Sequence, residues 1–526
     1  MKPFPLVFLL GLGFACPVKA AAPQPPNFII ILVDDLGWRD LGCAGSTFFE
    51  TPHIDRLASE GVRFSQAYSA CTVCSPTRAA LLTGKYPARL HVTDWIPGHS
   101  YPKAKLRVPD WTQHLPAGEP TLAEVLHRRG YASASIGKWH LGGEADRPEH
   151  HGFDHNIGGD HRGQPPSYFA PYQIPTLPDG PEGEYLTDRE TDEAIRFIES
   201  HREQPFLLYL PRYAVHRPLQ AKPAKVAKYR GKAATSGGTQ TNATYAAMIE
   251  SLDDSVGRLL QRLDELALSE RTVVIFTSDN GGLTTGRDPS TDNAPLRAGK
   301  GSPYEGGVRV PLLVRWPGVI APGVTNDTVV ITHDLFPTVL ELSGVPMPDL
   351  PANDGRSLAP LLMRRAGKWS RDAVFWHYPH YHPGGATPYG AVRAGAFKLI
   401  EFYERGHVEL FNLHDDPGET VNLANQMPGK VTELRSQLQS WRLTIGAQMP
   451  TSNPDWDGKS GPASIRQSAN GGVLLHARDV EIHGTTVRYE PQTNKNTVGY
   501  WTRREDWISW DFDLERTGTF AVEILQ

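Results

Sequence analysis

Residues 71–84 carry the sequence C-T-V-C-S-P-T-R-A-A-L-L-T-G, which predicts a helix that begins with a thiol in its first turn. Pro76 suits this turn because the amide hydrogen that it lacks has no helical partner there. The free N–H groups and the positive end of the helix dipole favour an anion beside Cys74, and Arg78 adds a cation one turn later. A buried cysteine next to a helix start fits the same pattern, so the surrounding sequence has to decide between the two interpretations.

Two apolar runs, at residues 27–33 and 272–276, predict strands that are buried on both faces of a parallel sheet. Each run leads into oxygen-bearing side chains, and the carboxyl ends of such strands form the ligand-binding edge of open α/β sheets. Adjacent carboxylates repel each other unless a cation neutralises them, and oxygen ligands favour calcium over zinc. A solvated turn is the alternative for the two adjacent aspartates alone. The candidate metal ligands are Asp34, Asp35, Asp279 and Asn280.

Four basic or imidazole side chains lie in loops of the same predicted domain. Lys138 and His140 alternate in G-K-W-H-L-G, so an extended backbone would point both of them to one side. His216 follows a predicted strand in the segment H-R-P, and Lys300 lies in the glycine-rich segment G-K-G. Taken singly, each residue also fits an ordinary core or surface position.

Together these segments resemble the sulfatase family. The resemblance covers residues 27–448 and rests, in chain order, on D-D-L-G, C-S-P-T-R with L-T-G, G-K-W-H-L-G, S-D-N-G-G and G-K-G. It implies an α/β fold of the alkaline-phosphatase-like type. In this fold a large mixed central sheet is flanked by helices and followed by a small C-terminal antiparallel-sheet subdomain.

In sulfatases the motif cysteine is oxidised to formylglycine by a separate formylglycine-generating enzyme, and the resemblance implies this fate for Cys74. The hydrated aldehyde would be the nucleophile and would share one calcium ion with the acidic residues. Thr77 replaces the serine that is usual in the motif, and because both carry a hydroxyl group we expect the modification to survive. Lys138 and Lys300 would bind sulfate oxygens, and Arg78 would steady the hydrate.

The resemblance also implies two proton-transfer roles. His216 would protonate the leaving alcohol. His140 would then take the proton from the remaining hydroxyl, which expels sulfate and restores the aldehyde. The implied catalytic residues are Cys74, Arg78, Lys138, His140, His216 and Lys300. The implied metal ligands are Asp34, Asp35, Cys74, Asp279 and Asn280.

Residues 1–22 are typical of a secretory signal peptide, with a positive start, an apolar stretch and a small-residue cleavage site. We therefore expect export to the periplasm or the medium. Lipid attachment at Cys16 is the alternative, although the residues before it form a poor lipobox. No apolar run is long enough to span a membrane. The net charge of −5 argues against nucleic acid as a partner.

The chain after the signal peptide predicts three units. Residues 23–368 form the catalytic domain and residues 369–450 the C-terminal subdomain, which includes a helix at 431–441. Residues 455–526 predict a β-rich module that looks like part of a carbohydrate-binding β-sandwich, either truncated or degenerate. Strands of these last two units are expected at 373–377, 391–400, 407–413, 473–477, 480–483, 507–513 and 517–525.

Two further expectations concern the middle of the chain. Residues 243–266 predict a long amphipathic helix with Asp253 and Asp254 on its solvent face. The preceding residues 222–241 are basic and rich in glycine, which predicts a mobile loop.

The ring-rich residues 376–382, W-H-Y-P-H-Y-H, fit either structural packing or a wall on which a sugar stacks. With the sulfatase motifs and the sugar-binding-like tail, they favour a sulfated carbohydrate as substrate, and a general arylsulfatase is the alternative. A phosphatase or phosphonate hydrolase would share the fold and the metal site. A non-catalytic sugar-binding protein is disfavoured because every motif residue is present.

Overall fold

The structure is a computed structural model that describes residues 25–235, 238–285, 289–345, 353–365 and 369–456, together with short stretches between residues 465 and 524. The predicted signal peptide lies outside the described residues. The strands up to residue 456 are β1 Asn27–Val33, β2 Val62–Phe64, β3 Ala67–Tyr68, β4 Leu106–Arg107, β5 Ala132–Ile136, β6 His155–Ile157, β7 Phe206–Pro211, β8 Thr272–Ser278, β9 Leu312–Arg315, β10 Val324–Asn326, β11 Val330–Ile331, β12 Val374–Tyr378, β13 Tyr389–Ala394, β14 Phe397–Phe402, β15 Val408–Asn412 and β16 Thr451–Ser452. The helices are α1 Pro52–Ser59, α2 Cys74–Thr83, α3 Pro87–Leu90, α4 Leu122–His127, α5 Leu186–Ser200, α6 Pro223–Thr235, α7 Ala243–Glu265, α8 Glu305–Val308, α9 Leu335–Leu342, α10 Ala359–Leu362 and α11 Pro428–Ile445.

A mixed sheet in the order β10-β2-β9-β8-β1-β7-β5-β6 forms the centre of the fold. Strand β9 runs antiparallel to both of its neighbours, and the other pairings are parallel. Successive side chains of β1 enter opposite apolar layers. Ile29 and Ile31 pack in the layer that contains α1, α5 and α7, whereas Phe28 and Ile30 pack in the layer that contains α2, α4 and α9. Helices therefore cover both faces, which explains the continuous apolar sequence of this strand.

The register of the sheet brings the two acidic loops together. Val33 at the end of β1 pairs with Ser278 at the end of the parallel strand β8. The aspartates after β1 therefore lie directly beside the S-D-N-G-G turn after β8, as expected for the carboxyl edge of a parallel sheet. The loops after β5 and β7, which carry G-K-W-H-L-G and His216, leave the same edge because both strands run parallel to β1.

The C-terminal subdomain is an antiparallel sheet in the order β12-β13-β14-β15, with α11 packed against it through an apolar cluster that includes Val392, Leu399 and Leu438. The single strand predicted at 391–400 is wrong. The chain forms a hairpin here, and Gly395 adopts the positive φ of 58° that the tight turn between β13 and β14 requires.

Two expectations for the middle of the chain are also wrong. Residues 223–235 form α6, which packs against α7, and Lys225 pairs with Glu250 at 2.9 Å and with Asp254 at 2.6 Å. Asp253 does not face solvent: it is 1% exposed and accepts hydrogen bonds from the backbone N–H groups of His53 and Ile54. Its carboxylate satisfies the free amides at the start of α1, a tertiary role that the helical periodicity cannot reveal.

Beyond residue 456 the described strands are β17 Ile465–Arg466, β18 Glu481–His483, β19 Arg488–Glu490, β20 Thr497–Gly499, β21 Trp507–Ser509 and β22 Phe512–Asp513. They pair two by two as β17 with β22, β18 with β21 and β19 with β20. Strands are confirmed within 480–483 and 507–513, whereas the described residues 473–475 and 518–524 are not in strands. The division of the chain into domains stays a prediction. In the part of the chain that the structure describes, no helix combines the length and apolarity needed to cross a membrane.

A buried ion network joins the four-stranded antiparallel sheet to the part of the chain that contains the central sheet. Lys398 on β14 places Nζ 3.0 Å from Glu305 Oε1 and 3.0 Å from Glu419 Oε1, and all three side chains are fully buried. Glu305 begins α8, shortly after the G-K-G segment, and also accepts a hydrogen bond from the Tyr68 hydroxyl at 2.6 Å. Lys398 therefore neutralises Glu305 and Glu419. Both carboxylates are tied to the segment that follows G-K-G, since Glu305 belongs to it and Glu419 accepts a hydrogen bond from the backbone N–H of Glu305.

We predict that Lys398→Met destabilises the protein by about 3–5 kcal/mol, because removing one partner leaves buried carboxylates without a counter-charge. Urea unfolding of the two proteins measures the difference. Lys430→Met is the matched control, since Lys430 pairs with Glu433 near the surface and should contribute less than about 1 kcal/mol. Equal stability of Lys398→Met and the control would contradict the role of the network.

Candidate active site

Cys74 is the first residue of α2 and is buried, as is every residue of this helix. Val73 before it is extended, so the chain turns sharply into the helix at the thiol. The hydroxyl of Thr77 accepts a hydrogen bond from the backbone N–H of Cys71 at 3.0 Å. Threonine at this position therefore retains the bonding capacity of a hydroxyl group and fixes the loop that presents Cys74.

Asp34 lies beside the thiol and is surrounded by positive charge. The Cys74 thiol donates to Asp34 Oδ1 at 3.6 Å, and Lys138 Nζ lies 2.6 Å from Asp34 Oδ2. Arg78 donates to Asp279 Oδ2 at 3.0 Å and 2.7 Å through Nε and Nη2, and its Nη2 is 3.8 Å from Asp34. Arg78, Lys138, Asp34 and Asp279 are all fully buried, so this is a dense cluster of charges without solvent screening.

Asp35 forms the other half of the cluster. Lys300 Nζ lies 2.7 Å from Asp35 Oδ1 and also donates to the Cys74 sulfur at 3.4 Å. Asn280 Nδ2 donates to Asp35 Oδ1 at 2.7 Å. Burial opposes ionisation, but the charge of Lys300 and the hydrogen bonds from Lys300 and Asn280 hold the pKa of Asp35 below its ordinary value. The two lysines thus reach Cys74 and the aspartates from different loops.

The two histidines are neutral and their hydrogen bonds define which nitrogen carries the proton. His140 Nε2 lies 2.5 Å from the carbonyl oxygen of Ile96, so Nε2 donates and Nδ1 is left as a buried acceptor without a partner among the described residues. His216 Nδ1 lies 2.8 Å from the carbonyl oxygen of Arg217, which leaves Nε2 as an acceptor 3.6 Å from Asp35 Oδ2. Burial and the nearby lysines lower the pKa of His216 to about 3. Burial and the positive charge of Lys138 lower the pKa of His140 well below its usual range.

The oxygen atoms of this cluster fit a hard cation. Ligand atoms of Asp34, Asp35, Cys74 and His216 lie within 4.8 Å of one another. Asn280 Oδ1 is buried and has no hydrogen-bond partner among the described residues, which is costly unless a cation or another donor meets it. Burial and the charge of Asp279 raise the pKa of Asp34 to about 7 although Lys138 and Arg78 oppose the shift, so these two cations do not fully offset the repulsion among the carboxylates.

All ten predicted site residues therefore come together, with three differences from the expected arrangement. Asp279 is engaged by Arg78 through Oδ2 and by the backbone N–H of Asp35 through Oδ1. His216 joins the group of possible ligand atoms. Lys138 is buried against Asp34 and does not line the cavity described below, whereas Lys300 does. The roles of these residues stay predictions.

A cavity of about 600 Å³ opens above Cys74, His140, His216 and Lys300. Its walls come from three loops, at residues 95–97, 161–166 and 382–383. These wall residues were not among the predicted site residues, although His382 ends the ring-rich segment that the sequence offered as a possible sugar-stacking wall. The other two loops carry neither periodicity nor a motif. Lining residues with polar or aromatic side chains are Trp95, His161, Arg162, Gln164 and His382.

The ring-rich segment at 376–382 is mainly structural. Trp376 and Tyr378 are nearly fully buried, and Trp376 donates its indole N–H to the carbonyl oxygen of Ser69 at 2.9 Å. Tyr381 is 9% exposed and accepts from the backbone N–H of Leu106. Of this segment, only His382 lines the cavity, so the packing interpretation holds for these three aromatic rings.

The fold and the site define an alkaline-phosphatase-like α/β protein, with a cluster of acidic side chains beside a residue at a helix N-terminus. The family model described as Sulfatase matches residues 26–345, and that described as N-sulphoglucosamine sulphohydrolase, C-terminal, matches residues 299–444. The chain belongs to the sulfatase family, whose members are sulfuric ester hydrolases. The fold class and the family predicted from the motifs are confirmed.

Individual relatives cover most of the chain. It is 35% identical over 446 residues to N-acetylgalactosamine-6-sulfatase of Mus musculus, covering 79% of each protein. It is 34% identical to arylsulfatase A of Homo sapiens over 477 residues, 80% of this chain and 88% of that protein. The crystal structure of Ps i-CgsB in complex with k-i-k-neocarrahexaose matches with a TM-score of 0.67 and 28% identity, over 82% of this chain and 95% of the other.

We predict that a calcium chelator lowers the Tm of the purified protein by a few degrees. Removal of a bound ion takes away its stabilisation of the folded state and increases the repulsion among the buried carboxylates. Asn280→Ala should shrink this chelator-induced shift. Differential scanning fluorimetry with and without chelator, followed by calcium add-back, measures it.

Asp253→Asn is the control, because Asp253 is equally buried but caps α1 away from the cluster. It should lower the Tm without changing the chelator-induced shift. An identical shift in wild type, Asn280→Ala and Asp253→Asn would rule out a cation at Asn280.

Proposed function

We propose that this chain is an exported sulfatase that hydrolyses sulfate esters of carbohydrates by means of a formylglycine formed from Cys74 and one calcium ion. The observation that carries the proposal is the position of Cys74, which lies at the floor of the cavity and contacts both Asp34 and Lys300. Export rests on the signal-like sequence of residues 1–22.

The unmodified thiol is poorly suited to act as the nucleophile. Burial raises the pKa of Cys74 to about 12, although Lys138 and Lys300 oppose the shift. Burial therefore affects the pKa of the thiol more strongly than the helix N-terminus, which favours an anion. A thiol that stays protonated is a weak nucleophile. Oxidation to formylglycine by a formylglycine-generating enzyme would supply a hydrated aldehyde oxygen at the same place and make the burial compatible with catalysis.

The acidic cluster is proposed to hold the calcium ion, with Asp34, Asp35, Asp279 and Asn280 as oxygen ligands beside residue 74. When bound, the ion would supply Lewis-acid polarisation of oxygen atoms that it contacts. The orphaned Asn280 Oδ1 and the mutual repulsion of the carboxylates support this assignment.

The positive residues are proposed to neutralise the sulfate group. Lys300 lines the cavity and reaches the sulfur of Cys74, so its ammonium group is placed to bind a sulfate oxygen. Lys138 and Arg78 lie beneath the floor, where they hold Asp34 and Asp279 and keep the local charge balanced. Attack on a sulfate monoanion needs this neutralisation, because a negative nucleophile is otherwise repelled.

The two histidines are proposed to transfer protons at different steps, His216 to the leaving alcohol and His140 from residue 74. The neutral Nε2 of His216 faces the cluster, and an arriving sulfate anion raises the pKa of the imidazole because a negative charge favours its protonated form. His216 could then hold the proton that the leaving alcohol oxygen requires. The unpartnered Nδ1 of His140 is an available acceptor for the proton released at residue 74.

The relatives support a sulfated carbohydrate as the substrate class. N-acetylgalactosamine-6-sulfatase carries a sugar in its name, and the similar structure of Ps i-CgsB contains k-i-k-neocarrahexaose. The cavity volume exceeds what a sulfate group alone would need, and Trp95 offers an aromatic wall. The second candidate is a general arylsulfatase, which the similarity to arylsulfatase A favours.

We predict that Cys74→Ala lowers kcat/KM for sulfate esters by at least about a thousandfold while the protein stays folded, because alanine can supply no nucleophilic oxygen. Peptide mass spectrometry of wild type that is produced together with a formylglycine-generating enzyme should find residue 74 about 18 Da lighter than cysteine, as exchange of S–H for an aldehyde requires. Wild-type activity in Cys74→Ala would refute the proposed nucleophile.

A substrate panel separates the candidate functions. We predict higher kcat/KM for a sulfated galactose, N-acetylgalactosamine, glucosamine or fucose than for an aryl sulfate, because only the sugar uses the binding energy of the cavity walls. An aryl phosphate is the control for the phosphatase alternative and should be turned over far more slowly. A best rate on the aryl sulfate would favour the arylsulfatase, and a best rate on the phosphate would overturn the proposal.

A further inference from the structure

Arg162 stands in the cavity wall and is held there by a buried carboxylate. Its Nη1 donates to Asp160 Oδ2 at 2.5 Å, and its backbone N–H donates to Asp160 Oδ1 at 2.7 Å. Asp160 is only 3% exposed, and its own carbonyl oxygen accepts from the backbone N–H of His140 at 3.0 Å. The guanidinium is therefore positioned by the same residue that is bonded to the loop of His140.

The loop of Arg162 lies directly against the His140 imidazole. A Cβ atom at Gly163 would come within 2.7 Å of His140 Cε1, so glycine is needed at this close approach. Arg162 directly precedes Gly163 in the chain, so the Cα atoms of the two residues are about 3.8 Å apart. The Arg162 side chain is 30% exposed and lines the same cavity as Cys74. An anion bound by it would therefore lie in the same cavity as residue 74.

The charge of the cavity wall favours such an anion. Among the described lining residues there are two permanent cations, Lys300 and Arg162, and no carboxylate. Lys300 faces Cys74 and Asp35, and we have assigned it to the reacting sulfate. Arg162 has five N–H donors in a planar fork, and its single ion pair among the described residues is with Asp160. The remaining donors match the paired oxygens of a second sulfate or a carboxylate.

We infer that Arg162 binds a second anionic group of the substrate, so that the enzyme prefers a glycan that carries another sulfate or a carboxylate close to the sulfate ester that is cleaved. Asp160 is the positioning residue for this contact. The inference rests on the proposed sulfatase activity and narrows its substrate class from sulfated sugars to polyanionic ones.

The test compares three substrates of the wild type and of Arg162→Gln. They are a monosulfated N-acetylhexosamine, the same sugar with a second sulfate, and the monosulfated sugar linked to a uronate. Loss of a charge-assisted pair should lower kcat/KM for a substrate with the second anion by about 10- to 100-fold more than for the monosulfated sugar. Whichever of the two anionic substrates shows this loss identifies the group as sulfate or carboxylate.

Arg147→Gln is the matched control. Arg147 lies in the preceding loop, has a side-chain exposure of 29% and pairs with Glu144, but does not line the cavity. It should leave the ratios between the substrates unchanged. Arg162→Lys keeps the charge but not the fork, so it should retain part of the preference, and it decides the question if Arg162→Gln fails to fold.

Two failures are distinguishable. Absence of sulfate release from every substrate by the wild type would overturn the proposed function itself. Sulfate release without a preference for a second anion, or an equal loss on all three substrates in Arg162→Gln, would overturn only the role of Arg162.

Discussion

The need to neutralise three buried aspartates governs this structure. Asp34, Asp35 and Asp279 meet at one point of the sheet edge, and burial alone would make such a group of carboxylates untenable. Arg78 and Lys138 approach from below the cavity floor, and Lys300 from its side. Each cation comes from a different segment of the chain, so the electrostatic requirement ties α2, the loop after β5 and the G-K-G segment to the strands β1 and β8. The place of Cys74 between Asp34 and Lys300 follows from the same arrangement.

The C-terminal subdomain belongs to this arrangement through a second buried charge cluster. Lys398 fixes Glu305 and Glu419, and Glu305 follows closely on the segment that carries Lys300. The subdomain also contributes His382 to the cavity wall. It therefore fixes the loop that carries Lys300 and borders the cavity above Cys74, which gives a physical reason for a sulfatase core to carry this small sheet.

The central sheet and the grouping of the site residues could be predicted from the sequence, because there the local sequence pattern also determines the position in the fold. The apolar run before Asp34 must be a strand buried on both faces, and residues after parallel strands must gather at one edge, so the site residues could be placed together. Patterns failed where the decisive partner is distant in sequence. Asp253 lies on an amphipathic helix, but its carboxylate caps α1. The position of the Arg162 loop at the site depends on its close approach to His140, which no local sequence pattern indicates. The aromatic run near Trp376 left structural packing and sugar stacking open, and the contact of Trp376 with Tyr68 decides for packing at that ring.

The most direct test is the calcium content per chain, measured by elemental analysis of active protein after extensive dialysis, for wild type and Asp35→Asn. If the aspartates form one cation site, wild type should contain one calcium per chain. Asp35→Asn should contain far less while keeping a cooperative unfolding transition. Active wild-type protein without calcium, or an undiminished content in Asp35→Asn, would contradict the central role of the acidic cluster.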